Sequence, residues 1–138
     1  MSVERFGAAE DMYGPAAVDH FTNPRNVGGV TDPDGKGSDT NPSCGDRTAI
    51  TVRIRDGRIE EARFRTFGCV AAIASASALT ELARGRTVDE ARELGPADVI
   101  GALGGLPARK EGCALMAVGA LRAALVDTQV RSGAGGGT

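Results

Sequence analysis

The stretch AITVRIRDGRIEEARFRTF, residues 49–67, says more about the architecture of this chain than any other segment. Apolar and polar residues alternate through 49–55, with Ile50 and Val52 on one face, which is typical of a half-buried strand. Asp56 and Gly57 are residue types that accept the positive φ angles of a two-residue hairpin turn. Residues 59–67 return as a second strand, so the segment predicts an antiparallel hairpin.

Two registers of this hairpin are open, and they differ in where a cysteine falls. A two-residue turn, extended along both strands, sets Cys44 opposite Cys69. A slip of one residue matches the apolar faces better, because it sets Ile50 against Phe64, and it places Cys44 opposite Val70. In either register Cys44 and Cys69 reach the same end of the hairpin.

Helical patterns occupy most of the remaining chain. We predict an opening helix near 12–21, an alanine-rich helix over 69–84, a short capped helix from Thr87 and a final helix from Cys113. Residues 31–43 have almost nothing to bury and predict a loop. The expected fold class is α+β, with a small antiparallel sheet made of the hairpin, and a third strand as an option, carrying helices on one face.

The length of the chain limits the number of domains. A chain of 138 residues buries about two-thirds of its surface on folding, which suits one core. We expect a flexible N-terminus over 1–11, a single domain over 12–130 and a disordered glycine-rich tail over 131–138.

Charge and hydropathy point away from nucleic acid and membranes. The 16 basic and 18 acidic residues are spread along the chain, without a basic tract. No run reads as a membrane span and the first residues do not lead into a secretory signal, so we expect a cytoplasmic protein.

Cysteine is the residue type that carries the chemistry. Cys69 and Cys113 fall at predicted helix starts, where unpaired N–H groups favour a thiolate. Cys44 and Asp46 face the same way in an extended segment. Three small buried hydrophobes and a turn-capping aspartate are the plain alternative. Three thiolates and a carboxylate suit zinc or an iron–sulfur cluster, and the absence of C-x-x-C favours an exchangeable site.

The order of several short segments resembles the IscU and NifU N-terminal-domain family of iron–sulfur cluster assembly scaffolds. The similarity covers about residues 13–127, and 24 and 43 residues separate successive cysteines. The matching pieces are Tyr13, DHFTNPRNVG at 19–28, PSCGD at 42–46, ARFRTFGC at 62–69, AIASAS at 72–77, LP at 106–107 and Cys113.

The resemblance implies an IscU-like fold and a scaffold rather than an enzyme. It implies that Cys44, Asp46, Cys69 and Cys113 hold a nascent cluster, with [2Fe–2S] as the expected type, and that the labile bond to Asp46 lets the cluster leave. Zinc is an alternative occupant of the same ligands. A cysteine desulfurase is the implied sulfur donor, and apo-proteins are the implied recipients.

Two departures from the family pattern bear on the site. Gly112 stands where the family commonly has a histidine, so the fourth ligand is open between Asp46, water, a partner's thiol and Glu111. His20 lies in the predicted opening helix, and we expect a packed structural imidazole there. The segment LPARK at 106–110 departs from the family's Leu-Pro-Pro-Val-Lys chaperone motif, which leaves chaperone dependence open.

A second functional class is compatible with the same residues. The chain could be a zinc-dependent sulfur acceptor that forms a transient persulfide, with Cys113 as the favoured thiol. A structural zinc module is the third option, and it predicts that metal removal unfolds the domain.

Overall fold

The fold is a three-stranded antiparallel sheet in the order β1-β2-β3, with helices packed on the face that carries Ile50 and Val52. The structure is a computed structural model that describes residues 13–42 and 45–136. The α+β prediction is confirmed, including the optional third strand. The elements are α1 (Pro15–Thr22), β1 (Gly35–Asn41), β2 (Asp46–Arg55), β3 (Arg58–Phe67), α2 (Val70–Ala83), α3 (Val88–Arg92), α4 (Pro96–Ala102), a 3-10 turn (Ala108–Lys110) and α5 (Glu111–Gly136).

The β2–β3 hairpin contains both of the registers that the sequence left open. Beside the turn, where both central residues have positive φ, Arg55 pairs with Arg58. Beyond a β-bulge between residues 53 and 54, Ile50 pairs with Phe64, as in the slipped register. The turn favours one alignment and the apolar faces favour the other, and one extra residue in β3 reconciles them.

The prediction of a loop over 31–43 is wrong, because β1 occupies most of it. Gly35 and Gly37 face α5 so closely that a β-carbon at either position would lie 2.3 Å from backbone atoms of Ala124. The strand is therefore held by sheet hydrogen bonds and by direct backbone contact with the helix. A pattern based on apolar side chains does not detect a strand whose inward residues are glycines.

Helix α5 is the long helix of the core. Met116, Leu121 and Leu125 are buried, whereas Leu115 and Val126 are 57% and 56% exposed. By length and composition alone the segment Ala108–Arg131 is apolar enough to cross a membrane, with a mean hydropathy of 1.4 in its most apolar window. Half of that window is buried inside the protein, as in a core helix.

The predicted ends of the domain fall at the limits of the described chain. Residues 1–12 lie outside the described part, so the flexible N-terminus stays a prediction. Helical backbone continues through 131–136, which the sequence analysis placed in a disordered tail. Once a helix has formed, each further residue that becomes helical adds one hydrogen bond, so the backbone of α5 continues into the glycine-rich segment. Residues 137–138 are not described.

Candidate metal centre

Three of the four predicted ligands converge where the sheet meets the starts of two helices. Asp46 opens β2, Cys69 is the N-cap of α2, and Cys113 is the third residue of α5. Their ligand atoms all lie within 4.8 Å of one another. The fourth residue, Cys44, lies with Ser43 outside the described residues.

The carboxylate of Asp46 is placed beside Cys69 by a glycine. A β-carbon at Gly68 would lie 2.6 Å from Cγ and 2.8 Å from Oδ2 of Asp46, so any larger residue displaces the carboxylate. The backbone N–H of Cys69 donates a hydrogen bond to Oδ2 at 3.4 Å. Position 68 thus decides where the oxygen of this sulfur-and-oxygen group sits.

The two described sulfurs have the spacing of ligands on a single ion. Sγ of Cys69 and Sγ of Cys113 are 3.8 Å apart. Tetrahedral coordination with metal–sulfur bonds of about 2.3 Å puts two sulfurs roughly 3.8 Å apart, so both can bind one metal ion. Cys113 is 2% exposed, and Asp46 is 9% exposed, while Cys69 is only half-buried. Access from solvent is therefore on the side of Cys69.

A lysine supplies positive charge beside the sulfurs. Nζ of Lys110, in the 3-10 turn before α5, lies 3.7 Å from Sγ of Cys69. The charge of Cys69 is the main cause that raises the pKa of Lys110 above its ordinary value. Lys110 was not among the predicted site residues.

The single histidine belongs to the fold, as expected. His20 is 9% exposed, and its Nδ1 is hydrogen-bonded to Oγ of Ser77 on α2 at 2.8 Å. Its Nε2 lies 3.6 Å from Glu81. Burial is the main cause that lowers the pKa of His20, and the charge of Arg25 acts in the same direction. The imidazole fastens α1 to α2.

Glu111, the low-ranked candidate for a fourth ligand, is exposed at the first residue of α5. The group of ligand atoms that converges in the described chain is Asp46, Cys69 and Cys113, without Glu111.

A cleft lies at the other end of β2 from Asp46. It has a volume of about 900 Å³, and Ile54, Gly57 and Val88 line it together with Pro33 and Arg131. The convergence of sulfur and oxygen ligands, rather than concavity, identifies the candidate site.

Known proteins resemble this chain over most of its length. The family model described as NifU-like N terminal domain matches residues 12–134. The chain is 50% identical over 116 residues to the iron-sulfur cluster assembly scaffold protein IscU 1 of Archaeoglobus fulgidus, covering 84% of this chain and 76% of that protein. It is 40% identical over 119 residues to the scaffold protein IscU of Escherichia coli K12, covering 83% and 92% respectively.

A solved structure has the same fold at low sequence identity. The crystal structure of the N-terminal part of a nitrogen-fixing NifU-like protein from Brucella abortus superposes with a TM-score of 0.69 at 18% identity, covering 88% of this chain and 97% of that one. The family model, the sequence relatives and the shared fold agree. This chain belongs to the NifU N-terminal domain family, together with the IscU scaffold proteins.

Proposed function

We propose that this protein is a scaffold on which a transient iron–sulfur cluster, of the [2Fe–2S] type, is assembled and from which it passes to apo-proteins. Cys44, Asp46, Cys69 and Cys113 are the proposed ligands. The observation that supports this most is the convergence within 4.8 Å of three ligand atoms from three separate elements. The scaffold names of relatives at 40–50% identity support the same function.

Asp46 is the ligand that we propose makes the cluster transferable. A carboxylate oxygen is a hard ligand in a set of soft thiolates, so its bond to iron is the easiest of the four to replace. The contact with Gly68 and the N–H of Cys69 hold the oxygen close to the sulfurs. Replacing Asp46 by alanine should therefore lengthen the lifetime of an assembled cluster.

Sulfur supply and cluster delivery require partners that reach the site. Cys69 is half-buried and marks the side of the three ligand atoms that solvent reaches. The nearby Phe67 is 83% exposed, and an exposed aromatic side chain suits a surface that another protein covers. We propose a cysteine desulfurase as the sulfur donor and cytoplasmic apo-proteins as recipients. In this scheme the protein carries cargo and is not an enzyme.

Anaerobic reconstitution tests this function. The purified protein is incubated with ferrous iron, a sulfide source and a reductant, and iron, sulfide and visible absorption are measured. We expect equal amounts of iron and sulfide and a chromophore that the Cys69→Ser and Cys113→Ser variants do not form. The matched control is Thr40→Ala, since Thr40 is exposed on the opposite face of the sheet. A wild-type protein without stoichiometric iron and sulfide would contradict the proposal.

The distance between the two described sulfurs is also compatible with the second candidate, a zinc-dependent sulfur acceptor. The separation of 3.8 Å between the sulfurs of Cys69 and Cys113 fits a zinc ion as well as iron. In that reaction a thiolate attacks the outer sulfur of a donor persulfide, a new S–S bond forms, and the donor thiolate leaves. The exposure of Cys69 favours it over the buried Cys113 as acceptor, contrary to the choice made from sequence. Persulfide turnover with zinc retained and no iron requirement, seen by mass spectrometry, supports this candidate.

A further inference from the structure

Asn41 lies next to two of the elements that build the candidate metal centre, although no motif singled it out. It is the last residue of β1, and it pairs with Asp46 across the sheet. Directly paired residues of adjacent strands project from the same face of the sheet. The side chain of Asn41 is therefore on the face of the sheet that carries the Asp46 carboxylate.

The same side chain reaches the helix that carries Cys113. A β-carbon added at Gly112 would lie 3.3 Å from Nδ2 of Asn41, a contact tighter than ordinary packing. Gly112 directly precedes Cys113 and is the position where the resembling family commonly carries a histidine. In this chain the amide of Asn41 lies in the space that a side chain at position 112 would need.

The backbone of Asn41 has a separate part in the site. Its carbonyl oxygen accepts a hydrogen bond from the N–H of Gly45 at 2.7 Å. Gly45 directly precedes Asp46, so this bond fixes the backbone at the start of β2. Asn41 thus contacts the strand that carries Asp46 through its backbone, and the helix start before Cys113 through its side chain.

We propose that Asn41 is a positioning residue of the cluster site, and that its carboxamide, which lies beside Gly112, donates a hydrogen bond to the sulfur of the bound cluster or its thiolates. This inference rests on the proposed function. Hydrogen bonds to cluster sulfurs raise the reduction potential, because they stabilise the more negative reduced state. An amide N–H is a donor, and a carboxamide oxygen is a poor match for iron held by thiolates.

The test compares reduction potentials of reconstituted clusters. We expect Asn41→Ala to lower the potential, and Asn41→Asp to lower it further because the added carboxylate is an acceptor with negative charge beside Asp46. Thr40→Ala, on the opposite face of the same strand, should match the wild type. Circular dichroism checks that each variant folds, and every variant keeps the backbone carbonyl that accepts a hydrogen bond from Gly45. Equal potentials in the wild type and Asn41→Ala overturn the inference.

A cobalt experiment keeps the inference testable apart from the proposed function. Co²⁺ bound to apo-protein reports its thiolate ligands through an intense charge-transfer band. Asn41→Ala should shift this band relative to the wild type, and Thr40→Ala should not. If the wild type assembles no cluster, the proposed function fails while the cobalt result still decides the role of Asn41. An unchanged cobalt band in Asn41→Ala contradicts that role.

Discussion

Substitution of Gly68 by alanine should displace the Asp46 carboxylate although all four proposed ligand residues are kept. The added β-carbon would lie 2.6 Å from Cγ of Asp46, 2.8 Å from Oδ2 and 2.9 Å from Cβ. Carbon atoms in good contact are about 3.5–4.0 Å apart, so the carboxylate has to move by about 1 Å. Its hydrogen bond from the N–H of Cys69, already 3.4 Å long, is then lost.

The expected cost follows from these contacts. Insertion of a methyl group into a well-packed place costs about 1–3 kcal/mol. Loss of the long hydrogen bond adds about 1 kcal/mol. We expect Gly68→Ala to lower the free energy of unfolding of the apo-protein by about 2–4 kcal/mol, and the reconstituted cluster to decay at the slower rate expected of Asp46→Ala.

Urea denaturation of a double-mutant cycle is the assay. Asp46→Gly removes all three atoms that the new methyl group meets, so Gly68→Ala should cost much less in that background. Gly101→Ala is the matched control, because among the described residues no heavy atom lies within 4 Å of its added β-carbon. This change in α4 should stabilise by about 0.5–1 kcal/mol. If Gly68→Ala lowers the free energy of unfolding equally with and without the Asp46 side chain, the proposed clash between position 68 and Asp46 is wrong.

Three further substitutions and conditions test other parts of the structure. Because the pKa of His20 is lowered in the folded protein, the unfolded chain takes up this proton at a higher pH than the folded protein does. The free energy of unfolding is therefore full above about pH 6.5 and falls as the pH drops below that value. Urea midpoints at pH 7.5 and 5.5 should differ less in His20→Asn than in the wild type, and equal differences contradict this. Lys110→Met should lower the ratio of the alkylation rates of Cys69 by iodoacetate and by iodoacetamide by up to about fivefold, since opposite charges near 4 Å attract by about 1 kcal/mol even in water and only iodoacetate is an anion; Lys110→Arg is the control, and an unchanged ratio in Lys110→Met argues against the contact. Gly37→Val should destabilise the protein by more than about 3 kcal/mol, as judged by thermal unfolding, because its side chain would enter the backbone of α5. Ser38→Val, on the other face of β1, is the control and should be nearly neutral. A neutral Gly37→Val would show that β1 does not pack as described.

The parts of the fold that bury apolar side chains could be predicted from the sequence. The alternation around Ile50 and Val52 predicted the hairpin, because one face of the sheet is buried. Strand β1 could not be predicted in this way, because Gly35 and Gly37 contact α5 through their lack of side chains. The register needed the structure, since the turn and the apolar faces favoured different alignments and a bulge accommodates both.

The candidate site was predictable in its ligand types but not in its supports. Helix starts and extended spacing marked Cys69, Cys113 and Asp46, and the structure brings these three together. The contacts of Lys110 and Gly68 depend on distances between segments that are far apart in sequence. Composition and periodicity contain no signal for such contacts. The role of Cys44 as a ligand stays a prediction.

Iron, sulfide and zinc analysis of protein isolated anaerobically, recorded with its visible spectrum, tests the central claim most directly. We expect iron and sulfide in equal amounts with a sulfur-to-iron charge-transfer absorption, and loss of both in Cys69→Ser, Cys113→Ser and Cys44→Ser. Tightly held zinc that iron and sulfide never replace, or a full cluster retained after loss of Cys113, would contradict it.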